Sequence, residues 1–215
     1  MRRAEKSHAE TERLMGVQIT KSIGKLSKRL KKGCLEPTMR KVSKYLVSSA
    51  VRKINGNVPP ENAPLTQEVK QGNKTLRDNG QLMASIAPQN GKDWAAAQTN
   101  LKYAKILQEG GTISSKGKGL WLPASAVTRR LMRQYNAQKP SELILAMKGE
   151  GYSFYRAGNV FFAKPKKKEP FALFIIKQSV TIPSRPFLYI DEKDENHVRK
   201  EIKKAVHEAL QGDKN

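Results

Sequence analysis

The spacing of apolar residues divides the chain into helical and extended stretches. Met15, Ile19, Ile23, Leu26 and Leu30 recur at steps of 4, 4, 3 and 4, which predicts an amphipathic basic helix stopped at Gly33. A second helix opens with Pro37 in its first turn. It carries Met39, Val42, Leu46, Ala50 and Ile54 on one face and ends at Asn55-Gly56-Asn57 and Pro59-Pro60. Together they predict an αα-hairpin with lysines and arginines outside. Residues 55–80, rich in Asn, Gly and Pro, read as a loop or irregular arm. Leu82, Ala84 and Ile86 alternate as a short strand closed by Pro88, and Asn90-Gly91-Lys92 reads as a hairpin turn. From Trp94 to Gln108 the pattern is ambiguous, with Ala95-Ala96-Ala97, Leu101, Ala104 and Leu107 favouring helix.

Residues 110–119 have loop composition, with Lys116 and Lys118 at the tip. Ser125 is placed to cap a short helix bearing Val127, Leu131, Met132 and Tyr135, with Arg129, Arg130 and Arg133 on the other face. Leu143 to Ile190 reads as strands. Leu143–Met147 is the first of them, and a hairpin follows from Tyr152–Arg156 to Asn159–Ala163 about Ala157-Gly158. Lys164-Pro165-Lys166-Lys167-Lys168 is a charged connection, and Phe171 to Ile182 is a long strand broken by Pro183 and Pro186. A terminal helix closes the chain. Asp191, Glu192, Asp194 and Glu195 crowd its first turn, Val198, Ile202, Ala205, Val206, Ala209 and Leu210 share a face, and Gly212 ends it. The order implies an α+β fold: N-terminal helices, a central antiparallel sheet, and a C-terminal helix packed on the sheet. The expected division is a basic helical region over 1–57 and an α+β core over 58–215, with a basic insertion at about 113–140.

Composition adds a charge argument. The 215 residues hold 41 Lys+Arg against 19 Asp+Glu, a net +22. The excess is uneven: residues 1–54 carry +11, 55–112 carry +1, 113–190 carry +11 and 191–215 carry −1. Two basic blocks point to a polyanion or an acidic protein surface as partner. The longest apolar run, Phe171–Ile176, is six residues, far short of the roughly 20 that span a bilayer. No signal-peptide pattern opens the chain, so an intracellular product with no membrane partner is expected.

Catalytic signals are sparse. Cys34 is the lone cysteine, which excludes a disulfide framework and a cysteine-based zinc site. His8 lies near the terminus, and His197 and His207 are ten apart, roughly 80° off a shared helical face. The acidic cluster at 191–195 lacks the glycine and distal glutamate of a calcium loop, and helix polarity explains it. The glycines of 110–119 match no phosphate-loop pattern. No catalytic residue, metal ligand or cofactor is expected. Tyr152, Phe154, Tyr155, Phe161 and Phe162 are placed to stack bases or to fill a core, with core packing the plainer use.

Three stretches then resemble one family. Leu76-Arg77-Asp78-Asn79-Gly80-Gln81-Leu82 running into Ser85-Ile86 resembles its strand entry, with Gly80 and Leu82 at the marked positions. Tyr103 to Gly111, with Leu107-Gln108 and the pair Gly110-Gly111, resembles its "YA…LQ.GG" segment. Ile182-Pro183-Ser184-Arg185-Pro186-Phe187-Leu188 resembles its "IPARPFL", with Ser184 in place of alanine, before an acidic-capped helix. The family is the phage virion-morphogenesis or tail-completion group of Mu-like and other tailed phages. Residues 113–170 are longer and more basic than its pattern.

The resemblance implies a non-enzymatic virion protein at the tail–head junction, assembled in the host cytoplasm. It would form a ring, expected to be a hexamer, that meets the tail tube and head-connector proteins. Lys116, Lys118, Arg129, Arg130, Arg133, Lys164, Lys166, Lys167 and Lys168 are then expected to face genomic DNA, bound without sequence preference, or acidic neighbouring rings. Pro183 and Pro186 hold Arg185 extended, either to bridge backbone carbonyls or a neighbouring subunit, or only to turn strand into helix. Two rival readings remain: a cellular nucleic-acid-binding protein, and an assembly chaperone absent from the finished particle.

Overall fold

A computed structural model describes residues 17–22 (backbone), 35–70 and 72–212. Along the chain run β1 (Val17–Ser22), α1 (Glu36–Asn55), α2 (Pro64–Lys70), α3 (Gln81–Ala84), β2 (Ala87–Asn90), β3 (Trp94–Thr99), α4 (Ala104–Glu109) and β4 (Gly111–Ser114). There follow β5 (Leu120–Pro123), α5 (Ala126–Gln134), α6 (Pro140–Gly149), β6 (Ser153–Ala157), β7 (Val160–Lys164), β8 (Phe171–Lys177), β9 (Ser179–Ile182) and α7 (Glu192–Gly212). The fold is α+β, with every strand pair antiparallel. No helix of the described residues is long and apolar enough to cross a membrane.

The chain forms two interleaved compact units. Among the described residues, unit 1 takes 17–22, 35–60, 75–110 and 183–212, and unit 2 takes the described part of 61–74 and 111–182. The expected division at residue 57 is sequential, whereas here the chain enters unit 2 twice, first over Glu61–Lys74 and again along β4, and leaves the second time along β9. These two strands pair from Gly111↔Ile182 to Ser114↔Ser179, so entry and exit lie side by side. The basic stretch 113–140 lies inside unit 2.

In unit 1 the sheet runs β1-β3-β2, and α1 packs across β2 and β3. Met39, Val42, Leu46, Ala50 and Ile54, the stripe read from the sequence, are all buried in this core. α7 lies against α1 and adds Val198 and Ile202. Ala95, Ala96 and Ala97 are fully buried in the central strand. Ala95 and Ala97, which share the face that joins the α1 core, therefore permit close helix-on-sheet approach, and the helical reading of Trp94–Thr99 gives way to a strand; helix begins only at Ala104. The hairpin at Asn90-Gly91 stands as expected.

Other sequence readings are corrected. The helix expected over 15–30 is a strand at 17–22, where Val17 and Ile19 alternate and Thr20 adds a third β-branched residue. Met15, Ile23, Leu26, Leu30 and Gly33 lie outside the described residues. The Leu82–Ile86 segment is one helical turn instead of a strand. Gly80 (φ +80) breaks the chain direction, Asn79 Oδ1 accepts from the Gln81 N–H at 3.1 Å, and Leu82 and Ile86 meet the core four residues apart. Pro88 sits within β2 at the sheet edge, where a missing N–H is tolerated. Inside the expected loop 55–80, Pro64 starts α2.

Unit 2 is built on a four-stranded sheet, β5-β8-β7-β6, covered on one face by α5 and α6. Leu143–Met147 belongs to α6, correcting the strand reading. Pro140 fits the first turn, and Glu142 Oε2 accepts from the N–H groups of Gln138 (2.7 Å) and Lys139 (3.2 Å). Leu143 and Met147 are fully buried one turn apart, while Leu145 between them is 73% exposed. The long strand splits at Gln178: β8 joins the large sheet and β9 pairs with β4. The Tyr152–Ala163 hairpin is observed, and Phe154, Phe161 and Trp121 pack edge-on or stacked within this core.

Candidate functional site

The second and third motif segments interlock in unit 1. Pro183 and Pro186 carry no N–H, so the chain after β9 cannot extend a regular ladder. Gln108, in the last turn of α4, takes over. Its Oε1 accepts the N–H groups of Phe187 and Leu188, each at 3.0 Å, and its Nε2 donates to the Leu188 carbonyl at 2.9 Å. Ser184 Oγ donates to the Gln108 carbonyl and the Arg185 N–H to the Leu107 carbonyl, both at 2.8 Å. Phe187 and Leu188 are thereby pinned into the α1 core. Gly110, at φ +76, turns the chain out of α4 toward Gly111. Leu82 is buried, and Tyr103 is exposed beside these contacts.

Arg185 is buried, and its Nε donates to the Pro60 carbonyl at 2.7 Å. Burial pulls its guanidinium below the usual value. Of the roles read for it, bridging a backbone carbonyl of its own chain is the one observed. Gln108 was not singled out from the sequence as a bracket. Its signal is an amide side chain preceding two glycines, paired with a proline-interrupted segment short of donors.

A second polar cluster fastens α7 to α1. Lys53 Nζ lies 2.6 Å from Asp194 Oδ2 and 3.2 Å from Asp191 Oδ2, and it donates to the Tyr189 carbonyl at 2.7 Å. Its ammonium also sits 3.9 Å from the Tyr189 ring centre. Burial alone would raise the Asp194 pKa, but hydrogen bonds from Lys53, Ser49 and the Asp191 backbone hold it below the ordinary carboxylate value. Asp191 Oδ1 accepts the Asp194 N–H at 2.8 Å, so the acidic cluster caps its helix and binds a lysine. His197 stacks on Tyr45 with ring centres 3.7 Å apart, and His207 pairs with Gln211. Among the described residues no group of three or more His, Cys, Asp or Glu side chains is placed to hold a metal. His8 and Cys34 lie outside the described residues.

The nine expected partner-facing cations all belong to unit 2 and fall at three places. Lys116 and Lys118 are exposed on the turn between β4 and β5, where Ser115 Oγ accepts from the N–H groups of Gly117 (3.2 Å) and Gly119 (2.9 Å). Lys164, Lys166, Lys167 and Lys168 are exposed around the β7–β8 connection. Leu120 pairs with Lys177 and Ala163 with Phe171, so these two loops flank opposite ends of β8, about 20 Å apart along the strand.

Arg129, Arg130 and Arg133 come from α5. Thr128 is fully buried and its Oγ1 donates to the Leu173 carbonyl at 2.8 Å, while Leu131, Met132 and Tyr135 pack into the core. This fixes the rotation of α5 and turns Ala126, Arg129, Arg130 and Arg133 outward. Val127, read as a core residue, is instead exposed. The outward side of α5 and the end of α2 enclose a cleft of about 170 Å³ lined by Val69, Lys70, Val127 and the three arginines, with Ala126 at its edge. Lys70, in a stretch read as a loop, is the one cation here that the sequence did not single out.

The model of the phage virion morphogenesis family matches residues 15–135. No curated protein and no solved structure matches the chain. The matched span contains α1, the first two motif segments and α5, and stops before the proline-bracketed third segment. Since it covers more than half of the 215 residues, the chain belongs to the phage virion morphogenesis family.

Proposed function

We propose that this protein is a structural component of the phage tail–head junction, a tail-completion or neck ring that caps the tail tube and permits joining to the head. The family match over residues 15–135 carries the reading, because it ties the chain to virion assembly. The ring would be a homo-hexamer closed by heterologous contacts, with tail-tube and head-connector proteins as neighbours. It performs no catalysis: its polar brackets, Gln108 and Lys53, are consumed in holding unit 1 together. The cations of unit 2 face packaged DNA or acidic neighbouring rings.

Mass spectrometry of purified virions tests this first. Stoichiometric presence at a few to a dozen copies per particle is expected. Absence from the particle, with the protein needed for assembly, would make it a chaperone instead. Cryo-EM of the particle then checks the position: cations on the outer surface, away from channel and neighbours, would sink the assignment of unit 2.

A further inference from the structure

We propose that the cleft between α2 and α5 binds the phosphodiester backbone of duplex DNA, with Lys70, Arg129, Arg130 and Arg133 as its contacts. This deepens the reading given above and rests on unit 2 facing DNA. Two separate elements bring four cationic residues to one concavity of about 170 Å³, where the Lys70 ammonium also donates to the Lys74 carbonyl at 2.7 Å. The first-turn N–H groups of α5 add positive potential there, since Ser125 provides no side-chain cap. Guanidinium groups fit phosphate through paired N–H donors.

Spacing and field favour nucleic acid over an acidic protein loop. Arg129 to Arg133 spans about 6 Å of helix axis. One DNA strand presents a phosphate every ~3.4 Å of axis, so the stripe reaches about two successive phosphates. Unit 2 as a whole carries 15 basic and 5 acidic residues, a net +10, with further lysines at both ends of its sheet. A field of that extent suits a long uniform polyanion better than one acidic patch.

The test is a salt titration of the full-length protein with a labelled 30-base-pair duplex of arbitrary sequence. Each lost phosphate contact lowers the slope of log affinity against log salt by about 0.9. Arg130→Gln/Arg133→Gln should therefore flatten the slope by about 2 and weaken binding about 10- to 60-fold near 0.1 M salt. Lys70→Gln should flatten it by about 1. Arg130 and Arg133 are exposed, so an unchanged circular-dichroism melt is expected for the double variant. Binding within twofold of the parent with an unchanged slope would overturn the cleft. So would poly-glutamate that competes as well as DNA, charge for charge, and loses affinity equally in the variants; the partner would then be an acidic protein. The virion measurement is independent: a protein found in particles with a flat titration loses only the cleft, while DNA binding without virion incorporation loses only the junction role.

Discussion

In unit 1 the decisive polar groups point inward, whereas in unit 2 they point to solvent. Gln108 spends both ends of its amide on the 187–188 backbone, and Lys53 is 10% exposed against an Asp194 carboxylate that is 2% exposed. Over residues 35–60, 75–110 and 183–212, unit 1 sets 10 acidic residues against 15 basic ones. Unit 2 sets only 5 against the same number, and Arg130, Arg133, Lys116, Lys118 and Lys166–Lys168 are exposed. The family-like motifs therefore belong to a self-satisfied scaffold, and the surplus charge belongs to a solvent-facing surface. Substitutions in the two units should separate stability from binding.

Lys53→Met is expected to have the largest effect. It keeps the aliphatic stem but strands the buried Asp194 carboxylate, a loss of about 3–5 kcal/mol. Urea unfolding followed by hydrogen exchange should show protection lost in α1 and α7. A Lys53→Met/Asp194→Asn double variant should recover part of the loss, because the uncompensated charge is gone. A single variant with parental stability would mean that the ion pair contributes nothing and that the two units do not differ in this way. Acid should act on the same link. Asp194 has its folded pKa below its ordinary 3.8, so its contribution is complete above that value and drains as pH falls below it. Monitoring the unfolding midpoint from pH 6 to pH 2 should show a steep fall below about pH 4, weakened in Asp194→Asn.

Gln108→Ala comes next. It leaves the Phe187 and Leu188 N–H groups without their acceptor, at about 2–3 kcal/mol, and frees the start of α7 from α4. Gln108→Glu separates the acceptor from the donor, since it keeps oxygen for both N–H groups but loses the bond to the Leu188 carbonyl. Its melting temperature should fall between those of the parent and the alanine variant.

Elements with one dominant period were legible in the sequence, and those decided by tertiary partners were not. The α1 stripe and the Tyr152–Ala163 hairpin each state their geometry through spacing alone. Ala95-Ala96-Ala97 does not, because alanine's helix preference is overridden when α1 requires a thin strand beneath it. Leu143–Met147 is apolar without a break, so only Pro140 and Glu142 mark it as a helix start. The candidate site was half legible. The arginines of α5 announce themselves as a basic helical face, but Lys70 joins them across about 60 residues of chain through a seven-residue helix whose one apolar pair, Leu65 and Val69, is too short a pattern to reveal it. Charge composition located the surface to within a unit; the concavity needed the packing of Thr128 against β8.

The smallest expected effect sharpens the comparison from the other side. Lys166, Lys167 and Lys168 are exposed on a connection that makes no core contact of its own, so replacing all three by glutamine should change unfolding by less than about 0.5 kcal/mol. Removing three cations should still lower DNA affinity, because the long-range field of unit 2 falls from +10 to +7. The salt slope should move far less than in the α5 variants if these lysines act through the field instead of through phosphate contacts. A slope change as large as that of Arg130→Gln/Arg133→Gln would make the β7–β8 connection a contact surface in its own right. The division between a pinned scaffold and a solvent-facing charge would survive that result, but the cleft would lose its privileged place on unit 2.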